Sequence, residues 1–413
     1  MPDRHLPVRP NLTQLKHQAK DLLRDARSGV ADAVAELKRN HPEQPDPSEA
    51  VLADAQLALA RSYGLPSWPR LVLACEMTDA ICRNDANKVR ELVVQHPALL
   101  HEDARGVKGN WGPPMSYAAN LGRDEIIRLL RQLGADDVQF AFERACLQGE
   151  IETARLLHSM GARPERGSVM GPCETLNPEG LAFQIGLGAE ICDEHGDRVA
   201  PVAMVLQTYG RHPEGKHHCL ELLARSGIDL PDTPTMALHR GRLDLLERHL
   251  QRDPALLART FSHHEIYPLE VGCHLNPIYA LHTTPLGGST LLHMCVDYDE
   301  LEIARWLLAN GADVNARAEV DADGFGGHTA LFGTTVAQSI RLRQTDEFAR
   351  FLLDHGADPN VRASLRKVMP FVDDDSEYVY RDVTALSWGE RFTFQDFVSR
   401  PAMKLIATRG GVS

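Results

Sequence analysis

One tripeptide constrains this chain more than any other feature. Gly-Ala-Asp closes an apolar helical run at Gly134-Ala135-Asp136, Gly311-Ala312-Asp313 and Gly356-Ala357-Asp358. Looser copies stand at Gly161-Ala162-Arg163, Gly188-Ala189-Glu190 and Gly227-Ile228-Asp229. Self-similarity at a spacing of roughly 30 to 45 residues marks a stacked solenoid, whose units are each too small to bury an apolar face alone. Such a scaffold takes its ligand from variable surface residues, so the architecture does not name the job.

The cleanest unit runs from Gly288 to Asn315. Thr290 can cap a short first helix through its hydroxyl. In the second helix Leu301, Ala304, Leu307 and Leu308 fall on one face. Gly311 then ends the helix in the left-handed conformation that glycine adopts without steric cost. The run Thr290-Leu291-Leu292-His293 followed by Gly311-Ala312-Asp313-Val314-Asn315 resembles an ankyrin repeat. So does Gly327-His328-Thr329-Ala330-Leu331 with Phe351 to Asn360, and more weakly Asp382 to Ser387 with Met403 to Gly410. The resemblance extends from about Leu73 to the C-terminus and implies about eight or nine units. It also implies a structural role for His293, a hydrogen bond to Thr290. In two units His96 to Leu100 and Asp253 to Leu257 replace the glycine ending.

Residues 1–72 do not follow this pattern. Leu12, Leu15, Ala19, Leu22, Leu23 and Ala26 predict an amphipathic helix, followed by a second over about Ala31 to Arg39. Asp46-Pro47-Ser48-Glu49 reads as the start of a third, which ends at Gly64. The stretches Asn11 to Leu23 and Ala53 to Arg70 resemble a helical leader found ahead of bacterial ankyrin arrays, which implies a bacterial source and no known chemistry. The expected domains are a cap module over 1–72 and an ankyrin solenoid over 73–413. The fold class is therefore all-α: an ankyrin-repeat α-solenoid with β-hairpin insertions and an N-terminal helical cap, which shields the open apolar end of the array.

Composition narrows the partners. A net charge of −13 with no dense Lys/Arg run argues against nucleic acid. The eight cysteines are scattered without a Cys-x-x-Cys pair, so they read as small core residues rather than a disulfide framework. No apolar stretch is long enough for a membrane span and Met1 to Leu6 carries no signal core, so a cytoplasmic location is expected.

Four connections, at about 165–199, 258–287, 315–328 and 361–383, are too long for plain repeat turns. Pro178 to Ile191 within the first can hold a degenerate helix. Their aromatic and aliphatic residues should pack on something, and per-repeat insertions gather on one side of a solenoid. The working surface is accordingly expected at His264, Glu265, Tyr267, His274, Tyr279, Asp321, Asp323, Phe325 and His328. Aromatic bodies with a few convergent polar groups suit a binding site.

No chemical motif is complete. The histidines between His263 and His328 lack any metal-ligand spacing, so no metal and no cofactor are expected. Gly210 to Lys216 matches a phosphate loop but has His217 where Ser or Thr would bind magnesium, and reads as a turn between helices. Asp321-Ala322-Asp323-Gly324 begins like a calcium loop but lacks its closing Glu, and reads as a glycine-rich hairpin. Asp373-Asp374-Asp375 is either a solvated loop or a cation site. The expected function is a scaffold recognising a protein or peptide partner on its concave, insertion-bearing face, with no nucleic-acid or membrane partner. The alternative is an enzyme or small-molecule binder whose pocket is built by the insertions around the His/Asp/Glu cluster at 263–328. No reaction is assigned.

Overall fold

The computed structural model describes residues 4–275, 281–369 and 376–413. The chain is mainly helical and forms two compact units, Met1–Pro164 and Glu165–Ser413. Among the described residues no helix is long and apolar enough to cross a membrane.

The first unit begins with α1 (Leu12–Arg27), α2 (Ala31–Asn40) and α3 (Leu52–Ser62). Leu15, Ala19, Leu22 and Ala26 of α1 are buried, as their helical spacing requires. The third helix starts five residues later than the Asp-Pro-Ser-Glu sequence suggests. The Asp46 carboxylate accepts from both the amide and the hydroxyl of Ser48, at 2.9 and 2.6 Å. That local turn competes with helix initiation, and Asp54 instead caps α3 by accepting from the Val51 amide at 2.7 Å. The three helices share a core that continues into Leu71, Ala74 and Cys75 of α4 (Trp68–Cys82). Helix pairs follow: α5 (Ala86–Gln95), α6 (Pro114–Ala119), α7 (Asp124–Gln132), α8 (Val138–Gln148) and α9 (Ile151–Ser159). Here α4, α6 and α8 pack in succession, with α5 against α7.

The second unit contains α10 (Met170–Glu174), α11 (Pro178–Gly186), α12 (Ala200–Gln207), α13 (Pro213–Arg225), α14 (Pro234–His239), α15 (Leu243–Arg252) and α16 (His263–Ile266). The 165–199 stretch is therefore partly helical, and α10 and α11 pack against α12 and α13. After it come α17 (Leu291–Asp297), α18 (Leu301–Ala309), α19 (Ala330–Thr335), α20 (Ile340–Gln344), α21 (Glu347–Asp354), α22 (Ala385–Arg391) and α23 (Arg400–Thr408). First helices stack as α14, α17, α19 and α22, and α21 packs on α23. Gly311 takes φ +96° just after α18, the backbone that ends each such helix. The Gly210–Lys216 segment is a turn leading from α12 into α13.

The turn after α17 ties three parts of this unit together. Asp297 pairs with Arg211 at 3.0 Å, and both side chains are buried. Glu300 pairs with Lys216 at 2.9 Å and His217 at 2.8 Å. Between them, the Tyr298 ring lies 4.7 Å from the Arg211 guanidinium and 4.1 Å from Lys216 Nζ. The Tyr298 hydroxyl is 2.6 Å from that of Tyr267. On the other side Asp299 accepts from Ser339 at 3.0 Å and pairs with Arg341.

A buried charge that loses its partner is strongly unfavourable. Asp297→Ala should therefore lower unfolding free energy by about 3–5 kcal/mol in urea titrations. Glu302→Ala, at an exposed pair one helix turn away, should change it by less than about 0.5 kcal/mol. Equal effects would show that the buried pair is not a fastening.

Candidate functional site

Three of the long connections in the second unit are sewn together by backbone hydrogen bonds. In the 258–287 connector the Phe261 amide donates to the Ser289 carbonyl at 2.9 Å. The Glu319 amide donates to the Gly288 carbonyl at 2.8 Å, which brings in the 315–328 stretch. That stretch is a hairpin, with Val320 paired to Gly326. The Gly326 amide then donates to the Ser364 carbonyl at 2.7 Å. Gly326 has φ +121°, and a side chain there would strike the Glu319 carbonyl, so only glycine fits. Ser364 belongs to β1 (Ala363–Val368), which pairs antiparallel with β2 (Glu377–Val383).

Together these segments line an open pocket of about 520 Å³. The connector supplies His263, the approach to α17 supplies His282 and Pro285, and the hairpin supplies Glu319, Val320, Asp321, Phe325 and His328. The ribbon supplies Leu365, Arg366, Lys367, Val368 and Glu377. His263, His282, His328 and Lys367 are all buried. His263 Nε2 lies 2.9 Å from the Leu275 carbonyl and His328 Nε2 lies 2.9 Å from that of Pro285. A carbonyl only accepts, so each Nε2 carries the proton and each Nδ1 a lone pair. These two Nδ1 atoms and that of His282 are buried without a hydrogen-bond partner among the described residues. Burial pushes all three imidazoles below their ordinary value, His328 to about 3. They are uncharged at neutral pH.

The residues expected from sequence divide among several places. Asp321, Phe325 and His328 line this pocket. Asp323 stands at its edge, 3.1 Å from Arg366. Asp321 accepts from the Phe325 amide at 2.9 Å and pairs with Arg366 at 2.7 Å, while Arg366 and Arg381 both lie over the Phe325 ring. His264 and Glu265 line a separate crevice of about 370 Å³ with Thr235, His249 and Arg252. Glu265 is also the cap of α16, accepting from the Ser262 amide at 2.9 Å. Tyr267 is a core residue bound to Tyr298. His274 is exposed, and Tyr279, Phe371 and the Asp373–Asp375 triplet lie outside the described residues. Sequence reasoning did not single out Lys367. Its signal was the period-2 burial of Ala363, Leu365 and Lys367, which places a lysine at an inward strand position. Among the described residues no group of three or more His, Cys, Asp or Glu is arranged to hold a metal ion.

His293 does hold Thr290: its Nδ1 is 2.9 Å from the Thr290 hydroxyl, and its Nε2 is 3.1 Å from the His328 carbonyl. Burial lowers its pKa to about 4. A histidine whose folded pKa lies below its unfolded value of 6.5 binds fewer protons when folded. Its contribution is intact above pH 6.5 and is lost as pH falls toward 4. Moving from pH 7.5 to pH 5 should cost about 2 kcal/mol for each of His293 and His328. His328→Gln should flatten the acid limb of a stability–pH curve measured by denaturant unfolding; an unchanged limb would contradict this assignment.

A sequence-family model for the ankyrin repeat matches residues 287–319. No curated protein matches the chain. Among solved structures, the human ASB11 ankyrin repeat domain aligns over 73% of this chain and 99% of its own, at 15% identity and a TM-score of 0.26. The segment 287–319, which holds α17, α18 and the Gly311 turn, is the part that the ankyrin-repeat model matches, and Gly287, Gly288 and Glu319 at its ends line the pocket.

Proposed function

We propose that this protein is a binding scaffold that recognises a protein or peptide partner on its insertion-bearing face. Ankyrin repeats generally serve protein–protein contact, and the matched repeat carries the hairpin directly at its end. The observation that carries the reading is the apolar exposure on two adjacent insertions. Val320 on the hairpin is 60% exposed and Val379 on β2 is 45% exposed. Val379 stands opposite Arg366, and Val320 and Arg366 share the pocket lining. Exposed aliphatic residues rimmed by the Arg366 ion pairs have the apolar-centre, polar-rim make-up of a docking patch. Residues 1–72 serve in this reading as the cap of the first unit, since their core runs on without a break into α4.

The test is capture of the cellular partner by the full chain under crosslinking, followed by titration of the identified partner. Val320→Asp with Val379→Asp should weaken binding at least tenfold, which is about 1.4 kcal/mol, with the melting temperature kept. Leu243→Asp, at an exposed site on α15, should bind as the parent does. Undiminished binding by the double variant would move the docking surface elsewhere.

A further inference from the structure

The ribbon of β1 and β2 is a two-stranded sheet with unequal edges. The far side of β1 meets the hairpin, where Gly326 bridges to Ser364. The far side of β2 meets no strand among the described residues. An open strand edge presents a row of amides and carbonyls that a further strand can take up. Beyond Arg381 this edge closes, because Asp382 turns to φ +50° and the Arg391 side chain donates to the Arg381 carbonyl at 3.2 Å. The stretch open to pairing is therefore Glu377 to Arg381, which reads Glu-Tyr-Val-Tyr-Arg. Glu377, Val379 and Arg381 are exposed. Run backwards, the stretch is its own complement: about Val379 the two tyrosines exchange places, and Glu377 exchanges with Arg381. Arg381 is already held at the edge, its guanidinium 3.9 Å over the Phe325 ring and Nη1 3.3 Å from the Asp323 carbonyl. Glu377 lies 3.8 Å from Arg366, too far for a hydrogen bond, so its carboxylate keeps capacity to accept.

We propose that the β2 edge is a self-association surface, on which a second copy of this chain adds its own β2 antiparallel about a two-fold axis at Val379. The pairing joins two ribbons into one sheet, in the order β1, β2, β2, β1. A two-fold contact closes on itself, so it yields a dimer and not a filament. In this register Val379 meets its own copy and covers its exposed side chain. Glu377 faces Arg381 of the second copy, once on each side of the axis, and Tyr378 faces Tyr380. Opposite charges and aromatic pairs directly across a strand pair are favourable. Charge also selects the direction: parallel pairing would set Glu377 against Glu377 and Arg381 against Arg381, and like charges so placed repel. Charged residues on an edge strand ordinarily keep copies apart. Here their opposite signs, four residues apart, make them complementary instead. A five-residue edge buries little area, so the dimer is a weak one that forms with rising concentration. The inference goes beyond the docking reading, since it needs no protein other than this chain.

Sedimentation velocity on the purified full-length protein, over about a hundredfold range of concentration, tests the assignment. The parent should pass reversibly from monomer to dimer. Glu377→Arg and Arg381→Glu should each weaken the dimer at least tenfold, because each sets like charges opposite one another. An equal mixture of the two variants should regain it, since every facing pair is then of opposite sign. Glu302→Arg, exposed on α18, should dimerise as the parent does. A second reading avoids the Phe325 contact of Arg381. Val379→Cys should be joined chain to chain when copper phenanthroline oxidises the two facing thiols, which strand pairing brings within disulfide reach. Leu243→Cys, exposed on α15, should stay unjoined. A parent that remains monomeric throughout, a dimer that Glu377→Arg does not weaken, or a Val379→Cys variant joined no faster than Leu243→Cys would overturn the proposal.

Discussion

The turn Asp297–Glu300 carries the strongest constraint in the second unit, because buried charges must be paired where they stand. Its four residues reach three other parts of the unit. Asp297 holds Arg211 ahead of α13, Glu300 holds Lys216 inside α13, Tyr298 meets Tyr267 in the long connector, and Asp299 holds Ser339 and Arg341 beyond the hairpin. An apolar contact can slide by a fraction of an ångström at little cost. A desolvated ion pair cannot, since its Coulomb energy must offset the loss of hydration at both ends. The turn therefore fixes the spacing of the helix pairs that flank the ankyrin repeat. Arg211 also donates to the Leu281 carbonyl, which carries the same constraint to the neighbour of His282.

The pocket follows from how the insertions satisfy their own backbones. A long connector exposes amides and carbonyls that need partners. Here Phe261, Glu319 and Gly326 donate to Ser289, Gly288 and Ser364, so three stretches distant in sequence meet edge to edge. Aromatic and aliphatic groups then cover the seam, and polar side chains caught inside it change character. Water would leave Lys367 a full cation and His328 half-titrated near neutrality. Burial lowers the pKa of the first and leaves the second a neutral ring.

The readability of the chain tracks how local each cause is. Leu15, Ala19, Leu22 and Ala26 declared α1 by spacing alone, and Gly311 declared the end of α18, because helix faces and caps are settled within a few residues. The start of α3 was misplaced by a local competitor, the Asp46–Ser48 turn. Of the expected site residues, Asp321, Phe325 and His328 do meet in one pocket, since hairpin neighbours travel together. Tyr267 and Glu265 were drawn instead into a core hydrogen bond and a helix cap, roles that depend on partners 31 and 3 residues away.

What the sequence by itself determined is the mainly helical, repeat-based construction: apolar spacing and glycine stops recur, and both act over one or two helix turns. What only the tertiary structure decided is which insertions share a wall and which charges lose water. Lys367 differs from the exposed Lys404 in the segments that cover it. It differs because β1 turns it inward beneath a hairpin some 40 residues away (Gly326 meeting Ser364), and desolvation by distant segments sets the chemistry of its amine.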